Sequence, residues 1–327
     1  MEVCARLGEW LESPVQQAAT AAAAEELRRR WYRQPAVRAL SDAVAADPAT
    51  LLDAARRFVL EAPGITALLD ELIAAAASDP FFRPPFRAAV SEIHSGFLIF
   101  DSPELAVSLG TVSLEALAAK KIAGEGRGSI IFSGERNIVR FLRAGGARLA
   151  FWRAEPAGPD FTLEAAGECR LVGRRCVADG ETIELDARSE SFIIERASTD
   201  LVLLQANLRP LGPALAVEYD ATTRQAISAS NADEGESRLE MMVTLLRLLG
   251  ADEALPLVSR TMSGVGFQTR WHLMRELLAW DAAAALPVLA SLAEHDPHPE
   301  VRGAAAQTLA LFFPQPARIR TQPPCLA

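Results

Sequence analysis

The sequence predicts an α+β protein of several domains: an N-terminal helical layer, a central antiparallel β-barrel or sandwich, and a C-terminal α-solenoid. Apolar residues first recur at helical spacing, then alternate in short runs between Gly and Asp turns, and finally follow a fixed repeat. The chain has 327 residues, half of them hydrophobic, which is enough for more than one core. The predicted regions are helical residues 1–90, a β domain at 91–225, helical repeats at 233–313 and a loose tail at 314–327.

The N-terminal region contains start signals and apolar stripes typical of helices. Asp47 followed by Pro48 is the pattern of a helix N-cap with proline in the first helical position. The residues after it include an apolar stripe at helical spacing: Leu51, Leu52, Ala55, Phe58 and Val59. Such a stripe must pack against another surface, so we expect a small bundle or a helical layer over the next domain.

From about Ser91 the pattern changes to short strands. Phe97–Phe100 is an apolar run that ends in a turn, and Ile183 and Leu185 alternate with charged residues. Asp179–Gly180 is a strong hairpin-turn signal. Many short strands with such turns predict a sandwich or a barrel.

The segment Val177–Leu185 and the strand rhythm around it resemble the cupin family of β-barrels, over about residues 91–219. Metal-binding cupins carry a His-x-His pair, a glutamate and a later histidine on barrel strands. This chain has no histidine between His94 and His272, so the family's metal site is not carried over. The resemblance therefore implies a cupin-like domain that is metal-free or that uses carboxylates in place of the histidines, and we expect no metal and no cofactor.

The last third of the chain repeats itself. Arg238, Arg270 and Arg302 are spaced 32 residues apart, which predicts stacked helical hairpins. The segment Asp296–Ala306 resembles the HEAT-like repeat motif, with Asp296 able to cap a helix start. The resemblance implies a short HEAT-like stack over about residues 235–312.

Charge and composition exclude some classes of function. The formal net charge is −9 and the pI is about 5.2, which disfavours binding to a phosphate backbone. No apolar run is long enough for a membrane helix, so we expect no membrane or nucleic-acid partner. Four cysteines without a framework spacing favour a reducing, cytoplasmic location.

The β domain offers candidate ligand-binding residues. They combine aromatic and charged side chains in or beside the strands: Arg140, Trp152, Glu184 and Tyr219. An aromatic residue with arginines can line a pocket for an anionic ligand. Alternatively, Trp152 covers a barrel end and the arginines are solvated.

The helical repeats offer candidate partner-binding residues, namely Trp271, Trp280 and Arg270. Tryptophan and arginine dominate binding hot spots, and one of the two tryptophans is expected in the core. The periodic arginines either bind turn carbonyls and acids of the neighbouring repeat or form a ligand-facing ladder. We interpret His295 and His298, which flank Asp296–Pro297, as polar residues of a repeat turn.

No catalytic residue is identified from the sequence. Nucleophile-elbow, dinucleotide and Walker motifs are absent. Glu92 and His94 are a candidate acid–base pair only if both lie on a strand. The sequence thus favours a non-catalytic accessory or scaffold protein that binds a protein or peptide. The alternative is an enzyme or small-molecule sensor with its pocket inside the β-barrel.

Overall fold

A computed structural model describes residues 2–123, 128–158, 160–209 and 214–313; the predicted tail at 314–327 lies outside them. Backbone contacts divide the chain into two units. The β unit comprises Met1–Glu155, Gly167–Leu211 and Glu218–Ala226. The helical unit comprises Pro156–Ala166, Gly212–Val217 and Ile227–Ala327. The chain therefore passes between the units several times, and the domain bounds predicted from the sequence stay a prediction.

Prolines and a carboxylate start the first helices. The helices of the β unit are α1 (Glu2–Leu11), α2 (Pro14–Arg33), α3 (Pro35–Val44), α4 (Pro48–Glu61), α5 (Ile65–Ser78) and α6 (Leu114–Ala123). Asp47 caps α4 as predicted, because its Oδ1 accepts from the backbone N–H groups of Ala49 at 2.9 Å and Thr50 at 3.1 Å.

The strands begin at Arg87, a few residues before the predicted change of pattern. They are β1 (Arg87–Val90), β2 (His94–Asp101), β3 (Leu105–Val112), β4 (Ser129–Phe132), β5 (Arg136–Arg143), β6 (Arg148–Arg153), β7 (Arg170–Cys176), β8 (Thr182–Asp186), β9 (Glu190–Arg196), β10 (Leu201–Leu208), β11 (Leu215–Asp220) and β12 (Ala226–Asn231). One sheet has six strands in the order β1-β2-β3-β10-β5-β8. Two sheets have three strands, in the orders β7-β6-β9 and β12-β11-β4.

Two details of the predicted β domain are wrong. Within the described residues the sheets remain open, so there is no closed barrel. Asp179–Gly180 does form a turn with Gly180 at φ 80°, but β7 before it and β8 after it belong to different sheets. The turn binds the end of β5 instead, since Gly180 N–H donates to the carbonyl of Phe141 at 2.7 Å.

The six-stranded sheet has a core on each face. On the helix-covered face, Ile138, Leu204 and Ala206 pack with the N-terminal helices. Trp31 of α2 is 1% exposed there, and its Nε1–H donates to the carbonyl of Ile99 at 2.7 Å. The opposite face, here called the inner face, carries a second apolar core in which the rings of Phe141 and Phe192 lie 6.2 Å apart.

The helical unit contains the third core. Its helices are α7 (Glu234–Leu248), α8 (Leu255–Thr261), α9 (Phe267–Trp280), α10 (Ala282–His295) and α11 (Pro299–Phe312). Leu273, Met274 and Leu277 of α9 are buried between neighbouring helices. The predicted C-terminal helices are thus present. No helix among the described residues has both the length and the apolar character needed to cross a bilayer.

Candidate functional site

The alternation of side chains along β5 and β10 decides which residues lie on the inner face. Successive strand residues point to opposite faces of a sheet. Ile138 belongs to the helix-covered core and Val139 to the inner core. Asn137 therefore shares the inner face with Val139, and Asn207, its direct partner across the strands, lies beside it.

The inner face is divided into an apolar and a polar half. The apolar half carries Val112, Phe141, Ile183, Leu201 and Leu203. The polar half is made by side chains at the other end of the same strands: Ser108, Asn137, Gln205 and Asn207. Its groups are amides and a hydroxyl, so the polar half offers hydrogen bonds without net charge.

In the polar half, the amides of Gln205 and Asn207 are hydrogen-bonded to each other, whereas the amide oxygen of Asn137 is left without a partner among the described residues. Gln205 Nε2 donates to Asn207 Oδ1 at 2.6 Å. Asn137 Oδ1 is buried and has no hydrogen-bond partner within the described part of the chain. A buried polar atom left in this way costs about 1–3 kcal/mol of stability.

His94 lies at the far end of the inner face, on β2. A Cβ atom added to Gly110 would stand 2.6 Å from His94 Nε2, which places the imidazole over that glycine. The predicted acid–base pair does not form, because β2 begins at His94 and Glu92 instead pairs with Lys120 at 2.9 Å.

Two of the predicted ligand residues, Arg140 and Glu184, lie on the helix-covered face. The Arg140 guanidinium donates to the carbonyls of Val59 at 3.2 Å and of Leu60. Glu184 accepts from Arg56 at 2.8 and 2.9 Å. These hydrogen bonds, helped by the positive charge of Arg56, lower the pKa of the Glu184 carboxyl.

The other two predicted residues are buried in other sheets. Trp152 of β6 is 6% exposed, and Tyr219 of β11 packs edge-on against Phe132 with ring centroids 5.3 Å apart. Burial raises the pKa of the Tyr219 hydroxyl. The four predicted residues are thus not gathered on one face, and their role in ligand binding stays a prediction.

The predicted partner-binding residues lie on α9. The Arg270 guanidinium binds Asp296 at 2.6 and 3.0 Å. Trp280 Nε1–H donates to Asp252 Oδ1 at 2.8 Å, and Trp271 is half-buried against the helical core. Their role in partner binding stays a prediction.

The polar half was missed at the sequence level. Its signal is a set of uncharged polar residues at core-facing positions of strands, Asn137 before Val139 and Gln205 before Asn207. Strand pairing is needed to bring them together. In the part of the chain that the structure describes, no group of three His, Cys, Asp or Glu side chains is arranged to hold a metal ion.

No family model and no curated protein matches this chain. Among solved structures, it is similar to a DMSP lyase from Ruegeria pomeroyi DSS-3 at 12% identity and a TM-score of 0.27, over 45% of this chain and 64% of the lyase. It is also similar to an RmlC-like cupin from Ralstonia eutropha JMP134, at 9% identity and a TM-score of 0.26, over 47% of this chain and 79% of that one. For an ectoine synthase from P. lautus the identity is 8% and the TM-score 0.22, over 38% of this chain and 70% of that one.

Cupin proteins are thus among the structures to which the chain is similar, whereas HEAT-repeat proteins are not among those named here. The chain spans less than two thirds of the length of the DMSP lyase. With every TM-score below 0.5, the likeness transfers no activity or substrate to this chain.

The predicted main function is corrected by this comparison. We expected a non-catalytic scaffold, but two of the structures to which the chain is similar are named as enzymes, the lyase and the synthase. The scaffold prediction is withdrawn, and its alternative, an enzyme or small-molecule sensor with its pocket inside the β-barrel, stays a prediction.

Proposed function

We propose that the β unit is an enzyme or small-molecule sensor that binds its ligand on the inner face of the six-stranded sheet, at the polar half. The observation that carries the proposal is the buried Asn137 Oδ1, which has no partner among the described residues. A ligand that donates to this oxygen removes a penalty that the free protein bears.

The chemistry of the inner face favours a neutral, hydrogen-bonding ligand. The amides of Asn137, Gln205 and Asn207 present donors and acceptors without charge. A charged ligand would lose hydration there without gaining an opposite charge from these amides.

His94 bears on the choice between enzyme and sensor. His94 lies on the same face, and an imidazole is the side chain that most often serves as a general acid or base in enzymes. In an enzyme, His94→Gln would abolish turnover of a bound ligand. In a sensor, the same variant would bind and respond as the wild type does.

We further propose that α7–α11 form a short HEAT-like stack. Two of the three periodic arginines support it: Arg270 binds the carboxylate of Asp296, and Arg302 donates to the carbonyls of Asp296 at 2.6 Å and Pro297 at 2.9 Å. Arg238 instead pairs with Glu234 of its own helix. Two arginines one repeat apart thus bind the same turn, as expected of a structural role.

The binding site is tested with Asn137→Leu and a matched control, Thr182→Val. Thr182 Oγ1 is also buried without a partner in the described structure, but its cross-strand partner is Arg140, so it lies on the helix-covered face. Both variants remove an unpaired buried polar atom, so each should raise the free energy of unfolding by about 1 kcal/mol. Urea titration measures this change.

Only Asn137→Leu should impair ligand binding. Neutral sugars, polyols, primary amides and nucleosides are added separately, and the shift in melting temperature is recorded. A ligand that stabilises the wild type and Thr182→Val should bind Asn137→Leu roughly tenfold more weakly. Equal affinity for both variants would show that the polar half is not the site.

A further inference from the structure

The helical unit contains a cavity of about 420 Å³, and none of its lining residues belongs to the inner face of the sheet. All of its lining residues belong to this unit. Leu215 and Phe267 provide apolar wall, and several polar side chains line the remainder. The volume is sufficient for a small organic molecule.

The lining includes a buried histidine in a defined tautomer. His298 is 2% exposed, and its ring stacks on Phe267 with centroids 3.6 Å apart and planes 4° from parallel. His298 Nε2 lies 3.1 Å from the carbonyl oxygen of Phe161. A carbonyl oxygen only accepts, so Nε2 carries a hydrogen, and in the tautomer with a single ring hydrogen the lone pair lies on Nδ1. Nδ1 is buried and has no partner in the part of the chain described.

Arg270, the positively charged residue that lines the cavity, already forms hydrogen bonds within the protein. Arg270 donates from Nε and Nη2 to Asp296 at 2.6 and 3.0 Å, and from Nη1 to the carbonyl of Val265 at 2.8 Å. The Asp296 side chain is fully buried, so its charge balances that of Arg270. The pair therefore gives the cavity no net positive charge.

The amide donors of the lining are engaged in the same way. Gln268 Nε2 donates to the carbonyl of Ala229 at 3.0 Å, and Asn231 Nδ2 donates to Thr269 Oγ1 at 3.0 Å. The amide of Gln268 keeps its carbonyl oxygen as an acceptor. Asp160, which also lines the cavity, adds a carboxylate.

From this pattern we propose that the cavity is a second small-molecule site, which binds a neutral or cationic ligand through the ligand's own N–H or O–H groups. Each donor nitrogen of Arg270, Gln268 and Asn231 makes a hydrogen bond within the protein, whereas His298 Nδ1, Gln268 Oε1 and the Asp160 carboxylate are acceptors. An anionic ligand would meet acceptors and a like charge. This site does not depend on the function proposed for the β unit.

Three probes of the same ring and similar size test the polarity of the site: benzamidine, benzamide and benzoate. They present a cationic donor, a neutral donor and an anionic acceptor, respectively. Calorimetry or ligand-detected NMR on the full chain should show saturable binding of benzamidine and benzamide, with benzoate roughly tenfold weaker or more. Benzoate binding as tightly as benzamidine would overturn the proposal, and so would the failure of all three probes to bind.

Two variants separate a binding role of His298 from a structural one. In His298→Asn the side-chain amide lies near the position of Nδ1 and supplies an acceptor there. In His298→Gln it reaches the position of Nε2 and preserves the donor to Phe161. We expect His298→Asn to bind benzamidine like the wild type, and His298→Gln to bind it roughly tenfold more weakly. A purely structural histidine would give the reverse order, with His298→Gln the better binder, and that result would contradict the proposal.

Discussion

At the residue scale, Glu184 links strand β8 to helix α4. Its carboxylate accepts two hydrogen bonds from Arg56, while Asp53 binds the same guanidinium at 2.6 Å. The Glu184 side chain remains 35% exposed, so water screens the pair. From the sequence alone, Glu184 is predicted to line a pocket. In the structure, its position on β8 places the side chain against α4, where it forms an ion pair with Arg56 instead.

The lowered pKa of Glu184 predicts a pH-dependent stability. The ion pair stabilises the fold above the ordinary pKa of a glutamate, and this contribution is lost as the pH falls through the lowered value. Glu184→Gln should therefore cost somewhat less than about 1 kcal/mol at pH 7. The difference in the free energy of unfolding between Glu184→Gln and the wild type should disappear as the pH is lowered from about 5 to 3. Urea titrations at several pH values measure it.

Asp53→Asn provides the control for that experiment. Asp53 is 67% exposed, so its loss should change stability less than the loss of Glu184. A gap between Glu184→Gln and the wild type that stays constant down to pH 3 would contradict the assignment.

At the element scale, one side chain fixes helix α2 to strand β2. Trp31 fills the core beside Phe58 at a centroid distance of 6.3 Å, and it also satisfies the carbonyl of Ile99. That carbonyl precedes Phe100, where the pairing of β2 with β3 shifts register between Leu98 and Phe100. The tryptophan thus supplies a donor where the strand ladder is irregular.

Trp31→Phe should lower the free energy of unfolding by about 2–4 kcal/mol, because it leaves a buried carbonyl unpaired and opens space in the core. Trp10→Phe is the matched control, since the hydrogen bond from Trp10 to Thr20 is long at 3.4 Å and only part-buried. Urea unfolding should show less than about 1 kcal/mol for the control. Equal losses of stability in the two variants would contradict the conclusion that Trp31 fixes α2 to β2 through its hydrogen bond to Ile99.

At the scale of the whole molecule, local sequence patterns predict individual helices and strands better than they predict how those helices and strands pack together. The cap at Asp47 and the helices after it follow from nearest neighbours in sequence, and the structure contains them. The site could not be predicted, because Asn137 and Asn207 are 70 residues apart and meet only through strand pairing. The sequence predicts His298 only as a polar turn residue, whereas in the structure it is buried and contacts Phe161, far away in the sequence.

The division of the chain predicts how fragments behave. Residues 1–226 contain every segment of the β unit, whereas residues 227–327 lack 156–166 and 212–217 of the helical unit. We expect fragment 1–226 to unfold cooperatively with a circular dichroism spectrum of mixed helix and strand. In hydrogen exchange followed by segment, the helices of fragment 227–327 should open at a lower temperature than the same helices in the full chain, since the fragment lacks the acceptor at Phe161 and apolar wall at Leu215. Identical melting of its helices in both contexts would contradict this.

The helical unit is assembled from three separated stretches of sequence, two of which are interleaved with the β unit. No single exchange of a gene segment can therefore transfer it intact to another protein. Domains that shuffle freely in evolution are contiguous and have termini at their borders. We accordingly expect relatives of this protein to have inherited both units together, with insertions and losses confined to the loops.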